Sequence, residues 1–203
     1  MARRRSDGER THTAILDAAT RLASVEGVHG LTIGRLAESL GVSKSGLYAH
    51  FGSKEQLQLE TIEAAKAIFE EEVMRPAAEA SPGLPQLEAI VEGFFSYVER
   101  GVFPGGCFFA GLLAEVDARA GAVHEVAAEW ERESLEGMAA PLLEAQHAGE
   151  IASELDAQQV AFELYACMEL ANYHYVLFRD LAVLDRGRRA TRGIIDRARA
   201  AAR

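Results

Sequence analysis

Two short runs of helical periodicity, joined at Gly41-Val42-Ser43 under one outward polar face, restrict this chain more than any other feature of it. Thr32 is a good N-cap. Ile33, Leu36, Ala37 and Leu40 then recur at helical spacing until Gly41, a residue suited to the left-handed conformation that closes a helix. Ser43 caps a second helix in which Leu47 and Phe51, four apart, share an inner face, while Lys44, Ser45 and Tyr48 share a polar and partly basic one. Ser53 opens a third helix with a capping box, because Gln56 is placed to reach back to the Ser53 N–H. Lys54, in its first turn, is a long donor close to the end of the second helix. A short helix held from below and cationic above suits insertion into DNA.

The overall charge of −10 argues against that reading until it is divided along the chain. Residues 1–54 carry eight Lys and Arg against five acids, a balance of +3; the remainder carries 13 against 26, a balance of −13. The asymmetry predicts a nucleic-acid-facing N-terminal part and an acidic remainder with another task. Arg3, Arg4 and Arg5 read either as a mobile basic arm that lies along a DNA backbone or minor groove, or as a solvated tail.

Other function classes find less support. Cys107 and Cys167 are the only cysteines, too few for a disulfide framework, and reduced cytosolic thiols are expected. Met1-Ala-Arg-Arg-Arg is followed by polar residues, unlike a secretory signal, and no run approaches the ~20 apolar residues of a membrane span. A cytoplasmic protein with no membrane partner is therefore expected. His124-Glu125 begins like a zinc-protease helix, but Ala128 stands where the second His ligand would be needed. Cys107 lacks any local nucleophile signature. No catalytic residue, metal or cofactor is expected.

Beyond Ser53 the periodicity stays helical and strand signals are absent. Helices are predicted near 11–26, 32–40, 43–51, 53–76, 84–101, 104–118, 121–148, 156–180 and 185–201. Pro76, Ser81-Pro82-Gly83 and Pro85 separate the long linker helix opened by Ser53 from the next one, and Pro104 suits a first helical position. Trp130, Leu135, Met138 and Leu142-Leu143 are expected to face a core. Asp156 caps the following helix, with Leu155 and Val160 as a hydrophobic staple. That helix, 156–180, is apolar nearly all round, which predicts burial on two sides, one within the subunit and one against a second copy. A two-fold pair is expected independently, because one short recognition helix reads few base pairs.

The run Gly-Val-Ser-Lys-Ser-Gly-Leu-Tyr-Ala-His-Phe at 41–51, followed by Ser53-Lys54-Glu55 and preceded by an amphipathic helix around Ile15, Ala19 and Leu22, resembles the DNA-binding domain of the TetR family of bacterial transcription regulators. The resemblance implies an all-α fold: an N-terminal three-helix DNA-binding domain with a helix-turn-helix over 1–52, and a C-terminal helical ligand-binding and dimerisation domain over 53–203. It places Thr32, Arg35, Ser43, Lys44, Ser45, Tyr48, His50 and Lys54 at the DNA, with Thr32 at a phosphate. By their chemistry Lys44 is expected to donate to guanine O6 and N7, Ser45 to bond either a base or a phosphate, and Tyr48, His50 and Lys54 to hold phosphates. Gly34, Gly46 and Ala49 offer no polar side chain on this surface, so direct readout rests on few residues.

The same resemblance implies a homodimer through about 156–180 and 185–201, in which Ala190, Ile194, Ile195 and Ala198 are the final helix's contribution. It also implies an effector pocket, for which Phe94, Tyr97, Phe108, Phe109, Trp130, Met138, Tyr165, Met168, Tyr173 and His174 are the candidates; the alternative for this set is plain core. The expected function is repression at a palindromic operator, released by an apolar or aromatic small molecule and relayed by the helix from Ser53 to about Pro76. Control by a partner protein or by redox chemistry at Cys107, and activation instead of repression, are the alternatives.

Overall fold

A computed structural model describes residues 2–116 and 120–200, the side chains of 2–7 and 9 excepted. Among these residues every regular element is helical: α1 (Ala2–Glu26), α2 (Ile33–Leu40), α3 (Lys44–Phe51), α4 (Lys54–Phe69), a π-helical turn (Glu70–Met74), α5 (Arg75–Ala77), α6 (Leu84–Glu99), α7 (Phe108–Val116), α8 (Ala122–His147), α9 (Ala157–Phe178) and α10 (Leu181–Ala200). The chain divides into two compact units, 1–68 with 103–127, and 69–102 with 128–203. This division by packing differs from the expected functional one at 52/53, because α7 folds with the N-terminal helices.

The first unit is built on small and branched apolar residues. Ile15, Ala19 and Ala23 of α1, Leu36 and Ala37 of α2, Leu47 and Phe51 of α3, and Leu57 and Ile62 of α4 are buried. Each large side chain so covered contributes about 1.5–3 kcal/mol. Leu40, expected inside, is exposed at the end of α2. Phe103, Phe108, Phe109, Leu112 and Val116 complete the core. The second unit packs α6 against α9 and α10. Gly187 of α10 lets the helices approach closely: a Cβ there would stand 2.7 Å from both Ala171 Cβ and Phe95 Cε1. Arg188 lies over the Phe95 ring at 5.4 Å and pairs with Glu92 and Glu99.

Several boundaries differ from expectation for local reasons. α1 begins at Ala2, so the backbone of Arg3, Arg4 and Arg5 is helical, where a helix is expected only from about residue 11. The good helix formers Arg and Glu outnumber the single breaker, Gly8. α7 starts at Phe108, not Pro104, because Gly106 takes a φ of +87° and Gly105 is pressed on the Ser24 carbonyl with no room for a Cβ. α4 gives way to the π turn at Glu70, short of the expected end near Pro76. The break between α9 and α10 falls at Arg179, in the left-handed conformation, and Asp180, whose carboxylate accepts the Ala182 N–H; neither is a Gly or Pro signal. Asp156 caps α9 as expected, accepting from Gln158 and Gln159 N–H. Leu143 is a correction: expected in the core, it is 46% exposed. Trp130 and Leu135 are half-buried.

Candidate nucleic-acid interface

The expected caps form. Thr32 Oγ1 accepts the Arg35 N–H at 3.0 Å, and Gly41 closes α2 at φ +66° with its N–H on the Ala37 and Glu38 carbonyls. Ser43 Oγ accepts the Gly46 N–H at 3.2 Å and the Ser45 hydroxyl at 3.3 Å. Ser53 Oγ accepts the Gln56 N–H, but the Gln56 amide donates to Glu60 and does not turn back, so only half of the capping box is present. Leu47 and Phe51 fix α3 inward. Lys44, Ser45, Tyr48, Ala49 and His50 are left exposed, Tyr48 to 60%.

The turn between α1 and α2 adds side-chain bonds to its own backbone bonds, Gly27 N–H to the Ala23 carbonyl and Leu31 N–H to that of Val28. The Glu115 carboxylate, from α7, accepts the N–H groups of Val28 and His29 at 3.0 and 2.9 Å. Gln58, buried on α4, donates to the Val28 carbonyl at 2.5 Å and to that of Leu31 at 3.4 Å. Lys54 Nζ donates to the His29 carbonyl at 2.7 Å. Gly27, at φ +82°, takes a left-handed conformation that strains other residues, and a Cβ there would displace the Glu115 carboxylate from the turn. This knot sets where Thr32, and with it the start of α2, stands. Glu115 and Gln58 carry no local pattern in the sequence; only the fold brings them to the turn.

Arg35 has a different set of neighbours from those expected. Its guanidinium forks onto Glu26, with Nε–Oε2 at 2.8 Å and Nη2–Oε1 at 2.5 Å, and reaches Glu38 at 3.1 Å. The hydrogen bond from Arg35 holds the Glu26 carboxyl below the usual carboxylate range. A guanidinium paired twice has few donors left for a phosphate. His50 packs by its ring against His12, 5.7 Å between centroids, and His12 Nε2 lies 2.8 Å from Glu60.

The candidate pocket residues fall in both units. Phe108 and Phe109 lie in the core of the first. In the second, Phe69, which carries no signal of its own in the sequence, brings Tyr97 and Trp130 together edge-on at 5.6 and 5.2 Å. Phe94, Met138 and Met168 are buried near the same helices, and Tyr165 donates its hydroxyl to Glu131 at 2.7 Å. Burial, with Glu131 nearby, pushes the Glu169 carboxyl up to about 7. Tyr173 is exposed, and the His174 ring lies tilted against Phe178, 5.4 Å between centroids, at the end of α9.

On α9 the residues Phe162, Ala166, Leu170, Tyr173 and Leu177 form one exposed apolar stripe, with Phe162, Leu170 and Leu177 at 59, 56 and 72%. α10 offers less than expected. Ile194, Ile195 and Ala198 are buried within the subunit, and the outward residues include Arg186, Arg189, Ala190 and Arg197. No helix among the described residues is long and apolar enough to cross a membrane.

Two capped helices meeting at a left-handed glycine, with an exposed polar face on the second, make the head a helix-turn-helix module. The family model "Bacterial regulatory proteins, tetR family" matches residues 15–61, and the model "Tetracyclin repressor-like, C-terminal domain" matches residues 83–191. The chain belongs to the TetR family of transcriptional regulators. It is 30% identical over 122 residues to the HTH-type transcriptional regulator LmrA of Bacillus subtilis, a match covering 57% of this chain and 64% of LmrA, a little under two thirds of that protein's length. A TetR regulator from Chloroflexus aurantiacus has the same fold, with a TM-score of 0.84 at 26% identity over 94% of this chain and 95% of that one. AibR, solved in complex with isovaleryl coenzyme A and operator DNA, superposes with a TM-score of 0.67 at 20% identity, covering 93% and 97%.

Proposed function

We propose that this regulator binds a palindromic DNA operator as a homodimer, represses from it, and is released when a small apolar or aromatic molecule binds the C-terminal helices. The observation that carries DNA binding is the exposed face of α3: Lys44, Ser45, Tyr48 and His50 project from a helix whose Leu47 and Phe51 are locked inward. With Lys54, and with the hydroxyls of Thr32 and Ser43, they form the donor surface; the Glu26 and Glu38 pairs draw Arg35 away from it. A second copy against the α9 stripe supplies the second half-site, with the recognition helices ~34–36 Å apart or a multiple of that.

Small-molecule control is favoured by the aromatic set around Phe69 and by AibR, which is described with an acyl coenzyme A and operator DNA together. Any such effector must prefer the conformation that does not bind DNA. Redox control is disfavoured by the burial of Cys107, which denies the thiol the access such chemistry needs. Selection of bound duplexes from a random pool tests the reading. A palindromic consensus with two half-sites supports it, and no enrichment refutes it.

A further inference from the structure

We propose that Gly34 is a specificity-determining position that acts through Lys44: by lacking a side chain it seats the Lys44 ammonium over the first turn of α2, where the lysine holds a phosphate and not a base edge. The proposal rests on the head being the DNA-binding unit.

The geometry is direct. Lys44 is the first residue of α3, and its side chain reaches back over the turn to α2. A Cβ placed on Gly34 would stand 3.3 Å from Lys44 Cε, 3.4 Å from Lys44 Nζ and 3.8 Å from Thr32 Oγ1. The lysine tip therefore fills the space that a side chain at 34 would claim, and any residue longer than Ala would evict it.

The surroundings of that seat are donors. The Thr32 hydroxyl accepts from Arg35 N–H and keeps its own proton to give. The first in-helix bond of α2 runs from Leu36 N–H to the Thr32 carbonyl, so the N–H groups of Ile33 and Gly34 face outward without an intrahelical partner. Lys44 itself makes no hydrogen bond or ion pair among the described residues. An ammonium and a hydroxyl that stand 3.4 and 3.8 Å from the Cβ position of Gly34, beside the amides of a helix start, suit an oxygen-rich anion such as a backbone phosphate. A base edge offers at most two acceptors, and only to a side chain that projects outward from α3 into the groove. On this placement the chain gives up one base-reading contact for one register-setting contact.

The test measures binding of the full-length protein to its pool-selected operator and to single-base-pair variants of it, between 50 and 200 mM salt. In the wild-type background Lys44→Ala should weaken all duplexes alike, lower the salt slope by about one, and leave base preference unchanged. Gly34→Leu should fill the seat, push Lys44 into the groove and create a new preference of about fivefold or more at one pair per half-site, absent in Gly34→Leu/Lys44→Ala. Gly34→Met, also longer than Ala but unbranched and favourable in a helix, should shift preference in the same direction if the Leu variant does not fold. A relaxed preference at one base pair in Lys44→Ala, or unaltered preference and salt slope in a folded position-34 variant, would overturn the assignment of Lys44. A wild-type protein that enriches no duplex would instead overturn the reading of the head, and the proposal with it.

Discussion

Glu115 holds Val28 by its backbone: Oε1 accepts the Val28 N–H at 3.0 Å, while Oε2 takes the neighbouring His29 N–H. A carboxylate from α7 thus fixes the turn that delivers the DNA-facing helices, although it lies far from them in sequence. Hydrogen bonds to a charged group contribute about 1.5–3 kcal/mol, so Glu115→Ala should destabilise the protein by roughly 2–3 kcal/mol. Hydrogen exchange at the Val28 and His29 amides should accelerate together. Unchanged exchange at both would show that the clamp is not formed in solution.

Lys54 has one observed contact, with the turn, and one proposed contact, with DNA, to separate. Its Nζ donates to the His29 carbonyl and retains protons for a DNA phosphate. Lys54→Ala should weaken every duplex alike and reduce the salt slope by about one, since one neutralised phosphate is lost. A titration of affinity against salt checks this, and an unaltered slope would leave Lys54 with the turn alone.

The α9 stripe gives a prediction about assembly. Leu170→Glu puts a charge where a second copy would cover an exposed apolar side chain. The variant should keep its helical spectrum and sediment as a monomer, because two leucines per pair, each contributing about 1.5–3 kcal/mol when covered, are lost from a symmetric contact. A variant that still sediments as a dimer would move the interface elsewhere.

Gly187 is set by packing, not by backbone conformation. The 2.7 Å approach to Ala171 and Phe95 means that Gly187→Ala must force α9, α10 or Phe95 apart. Overpacking of about 1–3 kcal/mol outweighs the roughly 1 kcal/mol that Ala gains over Gly in a helix. Net destabilisation in a urea melt is expected, larger for Gly187→Val, and a stabilised Ala variant would contradict it.

Glu169 gives stability a pH dependence of definite sign. Its carboxyl titrates near 7 in the fold, through burial and then the charge of Glu131, against an ordinary value of 4.5. The folded state therefore holds a proton that the unfolded chain has released. The favourable contribution is complete below about 4.5 and is lost as pH rises to about 7. Glu169→Gln should flatten that loss and raise the melting temperature at pH 8 by the equivalent of about 1–3 kcal/mol. Equal pH profiles for variant and parent would refute it.

Much of the head was legible in the sequence because its signals are local. Thr32, Gly41 and Ser43 announce helix ends through their own chemistry, as Asp156 does outside the head, and Leu47 with Phe51 announces an inner face by spacing. The features that were not legible depend on partners distant in the chain. The Glu26 fork on Arg35, the Glu115 and Gln58 bonds to the α1–α2 turn, and the inward use of Ile194, Ile195 and Ala198 are set by which helices the fold brings together. The α9–α10 break was hidden for another reason: a non-glycine residue, Arg179, takes the left-handed conformation, and Asp180 caps α10. Leu143 shows the limit of periodicity, which marks a face as apolar without saying what covers it.

If two copies pair along Phe162, Leu170 and Leu177, the number of molecules in the cell becomes part of the switch. Below the pairing constant, assembled regulator falls with the square of subunit concentration, so halving the supply removes three quarters of the DNA-competent species. An effector that only loosened this seam would then act as a dilution, with the strongest effect when the regulator is scarce and little when it is plentiful.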